Sequence, residues 1–327
     1  HVVVATGSAP IDLPIAPFDH KDIIDSTDAL SLPTVPKHLV VIGAGVIGLE
    51  MGSVWSRLGA QVTFVEALPH ILSNTDHGIS QAMQKIMEKQ GMKFHLKTSL
   101  VKAEVESPGQ VKVTCQQGQE NLFLEADKVL VAVGRRPFTK DLGLEALGIK
   151  TDRSFITVDH RWQTNVEGVY AIGDVTPGPM LAHKAEEEGV ACAEVLAGQK
   201  GHVNYGAIPN VVYTWPEVAT IGLSEEECKE QNLQVKVGKF HYKANGRARA
   251  MNETDGLVKI IADKKTDKLL GFHIVGASAG EMIAEAAIAF EYGASSEDIA
   301  RSVHAHPTLA EIMKEAALDV DNRALHS

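Results

Sequence analysis

Cysteine is scarce: Cys115, Cys192 and Cys228 are the only three in 327 residues, widely spaced and without a C-x-x-C pair. That excludes a disulfide framework and a cysteine-built zinc site, and makes a reducing compartment the default. Aromatic residues make up 5%, too few for a base-stacking surface on single-stranded nucleic acid. Positive charge is in deficit. A formal net charge of -11 argues against phosphate-backbone partners, whose binding needs clustered Lys and Arg. No apolar run is long enough to cross a bilayer; the best, Leu39 to Leu49, contains three glycines and stops at Glu50. No signal-peptide pattern occurs. An initial methionine is also absent. The chain opens at His1 and runs into Val2-Val3-Val4-Ala5-Thr6-Gly7, a buried-strand pattern followed by a turn. Because chain ends are usually exposed, this start reads as that of a truncated or cleaved product.

What is present is ordinary globular material, 44% apolar and 22% charged, in a chain long enough for two or three cores. The strand Leu39-Val40-Val41-Ile42 runs into Gly43-Ala44-Gly45-Val46-Ile47-Gly48, then a helix ending near Gly59, then a strand from Val62 to Val65 stopping at Glu66. G-x-G-x-x-G is weak alone; between a strand and a helix it has the context of a dinucleotide site. Gly43 and Gly45 permit a tight turn and close approach to a pyrophosphate, Gly48 permits close helix–strand packing, and the helix N-terminus offers unpaired N–H groups. Glu66, at the end of the second strand, suits ribose hydroxyls and repels a 2′-phosphate, so NAD is expected over NADP. The bland alternative is a packing turn with an exposed acid. Thr6-Gly7-Ser8 and Gly173-Asp174 also end apolar strands; taken alone each is a turn, with Asp174 an Asx-type turn residue or cap.

Near the end, Pro307 turns His306 away from helical geometry. Thr308 and Glu311 have capping-box spacing, so Glu311 is either a helix cap or the orienting partner of a general base, His306. The residues themselves leave both readings open. His304 and His306 lack a third and fourth metal ligand, and no metal site is expected.

Six segments taken together, ATGSAP, VIGAGVIGLE, VAVGRRPFT, VYAIGDV, MLAHKAEEEG and HAHPTLAE, resemble the pyridine-nucleotide:disulfide oxidoreductases from one end of the chain to the other, and most of all their dihydrolipoyl dehydrogenase branch. The resemblance implies an α/β fold: a Rossmann-like NAD-binding domain at 31–147, pieces of an FAD domain at 1–30 and 148–203, and an α+β interface or dimerisation domain at 204–327. It implies NAD contacts from Gly43, Gly45, Gly48, Glu50, Glu66 and Gly134. It implies FAD contacts from Thr6, Gly7, Ser8, Asp174, Met180, Leu181, Ala182 and His183, with Asp174 on a ribityl hydroxyl. His306 becomes the base for the lipoamide thiol, oriented by Glu311 and acting across a homodimer interface on the partner's disulfide. The implied reaction oxidises dihydrolipoamide to lipoamide with NAD+ reduced. The implied partner is the lipoyl-carrying acyltransferase of a 2-oxo acid dehydrogenase complex, in the cytoplasm or the mitochondrial matrix.

Two departures qualify this. The family's first FAD glycine motif and its C-x-x-x-x-C redox pair are absent, so the polypeptide as given is expected neither to turn over lipoamide nor to hold FAD stably. Among rivals, glutathione reductase is disfavoured by Glu66, and mercuric reductase by the cysteine-free tail. A non-catalytic dimerisation or docking subunit is the alternative from another class.

Overall fold

The computed structural model describes residues 1–326. The chain forms two interleaved units, His1–Ile11 with Gly134–Tyr205, and Asp12–Val133 with the segment from Gly206 onward.

In the second of these, five parallel strands lie in the order Ile23–Ile24, Lys128–Val131, His38–Ile42, Gln61–Val65, Lys93–His95. Parallel strands covered on both faces read as near-continuous apolar runs, and alternate residues feed two cores. Leu39, Val41, Phe64 and Leu130 pack with Leu49, Met83 and Met87 of the helices Val46–Arg57 and His77–Lys89. Val40, Ile42, Val129 and Val131 pack on Val111, Val113 and Cys115. The second set belongs to an antiparallel meander, Thr98–Ser107, Gln110–Gln117 and Glu120–Ala126. Sequence patterning exposes only its second and third strands, because Thr98–Ser107 is mostly solvent-facing and its alternation is broken by register shifts.

The C-terminal half of the same unit is an antiparallel sheet ordered Asn210–Val212, Glu217–Gly222, Leu269–Gly276, Leu257–Asp263, Val235–His241. Helices Ala279–Glu291, Ser296–Arg301 and Glu311–Asp319 follow it, and their apolar faces join its core through Ile283, Ile299, Ile312 and Met313. A buried ionic knot joins this half to the parallel-sheet half. Asp76 caps the helix His77–Lys89 through Oδ1, which accepts from Gly78 and Ile79 N–H. Its Oδ2 accepts from Lys259 Nζ at 2.5 Å and from Glu225 N–H at 3.2 Å, while Lys259 also reaches Glu225 Oε2 at 2.7 Å.

The other unit pairs Val2–Val4 with Val169–Ala171 in parallel, and Ser8–Pro10 with Arg135–Pro137 antiparallel. The helix Ala182–Leu196 begins with Leu181 as its N-cap residue. The buried character expected of the first strand is not observed: Val2 is 60% and Val3 41% exposed. The strand forms, and among the described residues it has one hydrogen-bonded neighbour.

Candidate active site

The turn Gly43–Gly45 joins the central strand of the parallel sheet to the helix Val46–Arg57, which contains Gly48, and the three glycines meet different surroundings. Gly43 has φ +100°, and a Cβ there would stand 2.5 Å from the Ala132 carbonyl oxygen; a Cβ on Gly48 would stand 2.2 Å from the Gly43 oxygen. Around Gly45, the N-cap residue, there is open space. A side chain there would stand in the open space beside the helix N-terminus, where N–H groups and the helix dipole favour an anion. No side chain caps this terminus, which leaves its donors for a ligand.

Glu66 stands at the end of the adjacent strand, half-buried. Its Oε2 accepts from Ala44 N–H at 2.7 Å and its Oε1 from Leu68 N–H at 2.8 Å. The carboxylate is thereby fixed beside the glycine loop, with one lone pair on each oxygen left to accept from a diol. Glu50, on the helix, behaves differently. It accepts from Tyr213 N–H at 2.8 Å, and burial holds its carboxyl above the usual range despite that bond. Gly134 belongs to the other unit, where its oxygen accepts from Ile11 N–H at 3.1 Å.

In that unit the two strand-end turns meet. Ser8 Oγ donates to Asp174 Oδ2 at 2.5 Å, and Arg135 Nε donates to Ser8 Oγ at 2.7 Å. Gly7, at φ +74° with open space where a Cβ would stand, leaves the strand end open to close approach. Thr6 points elsewhere, donating to the Phe138 oxygen. Met180 and His183 are half-buried beside the helix start, with Leu181 and Ala182 forming that start. Sequence reading missed what holds the Gly173–Asp174 turn. Buried Glu188 accepts from Gly173 N–H at 2.7 Å, buried Lys184 donates to the Gly173 oxygen at 3.2 Å, and the two pair at 3.0 Å. Tyr205 Oη donates to Glu188, and Trp162 Nε1 to Tyr205 Oη. In the sequence this is one i,i+4 pair in a charged helix, indistinguishable from a solvated one.

The histidine–glutamate pair forms as spaced. His306 Nδ1 lies 2.9 Å from Glu311 Oε1, and Glu311 Oε2 accepts from Thr308 N–H at 2.8 Å. Burial pushes Glu311 up, but the Thr308 and His306 hydrogen bonds outweigh it and hold the carboxyl below its ordinary range. An ionised Glu311 requires Nδ1 to be the donor, which places the basic lone pair on Nε2; the side chain is 78% exposed. Only half of the capping box exists. The helix begins with Ala310 as its N-cap, and Thr308 Oγ1 turns to the Ala305 oxygen instead. The three thiols offer no redox pair: all are free and buried, and burial lifts Cys115 to about 11 and the other two upward. Among the described residues no helix is long and apolar enough to cross a membrane.

Known proteins match this chain over most of its length. Residues 1–189 match the family model for pyridine nucleotide-disulphide oxidoreductase, and residues 208–317 match its dimerisation domain. The chain is 55% identical to mitochondrial dihydrolipoyl dehydrogenase of Pisum sativum, covering 100% of this chain and 66% of the relative. It is 52% identical to the mitochondrial dihydrolipoyl dehydrogenase of Homo sapiens, covering 97% and 63%. The crystal structure of LpdA from Mycobacterium tuberculosis superposes with a TM-score of 0.88 at 27% identity, covering 97% of this chain and 68% of that one. The chain thus spans about two thirds of the length of such relatives, and with both family models in place it belongs to the pyridine nucleotide-disulphide oxidoreductase family.

Proposed function

We propose that this chain supplies the NAD-binding and acid–base parts of a dihydrolipoyl dehydrogenase, which oxidises dihydrolipoamide to lipoamide and reduces NAD+. The observation that carries this reading is the His306–Glu311 pair, solvent-facing, with its acid ionised and its tautomer fixed. A free thiol has a pKa near 8.5 and is only a few per cent thiolate at neutral pH. Nε2 of His306 takes the proton of the substrate thiol, and Glu311 holds the ring while the charge develops. NAD and FAD, when bound, supply the hydride chemistry.

Gly43, Gly45 and Gly48 make room for the pyrophosphate, and Glu66 accepts from the adenosine ribose hydroxyls. Ser8 and Asp174, with the 180–183 segment, serve the flavin, and the Lys184–Glu188 pair holds Asp174 in place. The segment Asp12–Val133 then forms the NAD domain, His1–Ile11 with Gly134–Tyr205 contributes to the flavin domain, and the segment from Gly206 onward forms the homodimer interface. The lipoyl-bearing acyltransferase of a 2-oxo acid dehydrogenase complex is the partner that this substrate implies.

NADH titration calorimetry on the chain tests the nucleotide site directly. Glu66→Ala is expected to weaken NADH binding by about 10- to 100-fold, the worth of one or two hydrogen bonds to a charged acceptor. Unchanged affinity sinks the assignment. The chain alone is expected to give no lipoamide turnover, because Cys115, Cys192 and Cys228 are buried and unpaired. Normal turnover by the purified chain would place the redox group somewhere other than a cysteine pair.

A further inference from the structure

The loop that carries His306 contains a second histidine bound in a different way. His304 Nε2 lies 2.9 Å from Glu285 Oε1, and its Nδ1 lies 3.1 Å from the Ser302 carbonyl oxygen. Its side chain is 7% exposed, and at these distances both contacts are direct. A carbonyl oxygen and a carboxylate both only accept. A neutral imidazole has one donor nitrogen and one acceptor nitrogen, and either tautomer would set a ring lone pair against an oxygen lone pair. Both contacts are satisfied together only by the imidazolium.

We propose that His304 is a positioning residue for His306: as a buried cation it clamps the Ser302–His304 limb of the loop to the helix Ala279–Glu291, and so fixes where the base is presented. The inference rests on His306 being that base. The remaining tethers of the loop are of another kind. Lys314 Nζ donates to the same Ser302 oxygen at 3.0 Å, Thr308 Oγ1 to the Ala305 oxygen at 2.7 Å, and Asn245 Nδ2 to the Thr308 oxygen at 3.0 Å. The groups facing His304 are Glu285 from the long helix, Ser302 from the end of Ser296–Arg301, and Lys314 from Glu311–Asp319. The Glu285 hydrogen bond raises its pKa, and this outweighs burial and the opposing charge of Lys314.

The sign follows. A raised folded-state pKa means that the clamp is complete at lower pH and is lost as pH rises through that value. Above it, one of the two N–H donors is gone and one contact becomes repulsive. The two histidines therefore divide the labour. His306 is exposed, with Nε2 unprotonated when it acts as base, while His304 is buried and keeps both protons.

The test uses the catalytically complete protein with 15N-labelled histidine, wild type and the variants His304→Gln, Glu285→Gln and His306→Gln. Both ring nitrogens of His304 are expected to be protonated at pH 7, and Glu285→Gln should lower that pKa while leaving an amide oxygen in place to preserve the fold. His304→Gln should reduce the turnover number with dihydrolipoamide by about tenfold or more, the scale of a misplaced catalytic group. NADH affinity should not change, and the alkaline limb of the pH profile should lose one ionisation. A neutral His304 at pH 7 overturns the proposal, as do wild-type turnover and pH profile in both His304→Gln and Glu285→Gln. If His306→Gln itself retains turnover, the base assignment falls first and this inference falls with it, whatever the charge of His304.

Discussion

His306→Gln is expected to lower dihydrolipoamide-dependent NAD+ reduction by about 10²- to 10⁴-fold, the range that a positioned general base contributes, when measured on the catalytically complete protein. The loss should sit in the turnover number, since the imidazole acts on a proton rather than on binding. NADH affinity should be unchanged, because the dinucleotide loop and this pair draw on different segments of the chain. Glu311→Gln should cost less. It removes the charge that stabilises the developing imidazolium, but its amide oxygen can still accept from Nδ1. It would also lift the held-down carboxyl out of the titration altogether, so no group at this position should ionise in the acid limb of the profile. A loss of less than about tenfold in His306→Gln would remove the base from this site.

Asp76→Ala is expected to destabilise the chain by about 3–5 kcal/mol, the cost of stranding one member of a buried ion pair. Lys259 is 3% exposed at its side chain and Asp76 0%, so the stranded ammonium would have Glu225 as its remaining carboxylate, itself half in solvent. The capping bonds to Gly78 and Ile79 N–H would go as well. The double variant Asp76→Leu, Lys259→Met should recover much of the loss, because an apolar pair of similar volume escapes the desolvation cost. The pH dependence has two edges. Burial pushes Asp76 up, but Lys259, nearby His273 and the Glu225 N–H bring its carboxyl below the ordinary value. Its contribution is thus present above the unfolded aspartate pKa near 4 and is lost as pH falls through the depressed value. Lys259 is the mirror case. Burial lowers it, Asp76 and Glu225 raise it further, and its contribution fades only as pH rises past the ordinary lysine range. Urea denaturation of the variants across pH measures both. A change under about 1 kcal/mol in Asp76→Ala, the worth of a surface pair, would contradict this account.

The parts of this molecule that the sequence discloses are those where one local rule suffices. The strand, glycine turn, helix and acid from Leu39 to Glu66 fall within one βαβ unit, and Gly48 is crowded by Gly43 and Val41 a few residues away, although Gly43 is itself crowded by the distant Ala132 and Val133. The His306–Glu311 contact spans five residues and lies in the short connection between the helix ending at Arg301 and the helix beginning at Glu311. What stayed hidden depends on long-range placement. Lys184 and Glu188 become a buried clamp only because the Gly173 turn folds onto their helix. Asp76 meets Lys259 across sequence that no periodicity connects. The donor roles of His304 need Glu285, on a different helix, to be seen at all. Val2 and Val3 are a separate case: the apolar run forms its strand, and both valines are exposed because among the described residues the strand has one neighbour.

The interleaved chain path imposes an order of assembly. All five strands of the parallel sheet lie between Ile23 and Val131, so during synthesis that sheet can close before Val169–Ala171 has been made. The strand Val2–Val4 lies ahead of that sheet in the chain and must wait for the distant segment Val169–Ala171 to pair. Slow translation through 134–168 would lengthen the interval in which Val2–Val4 lacks its parallel partner.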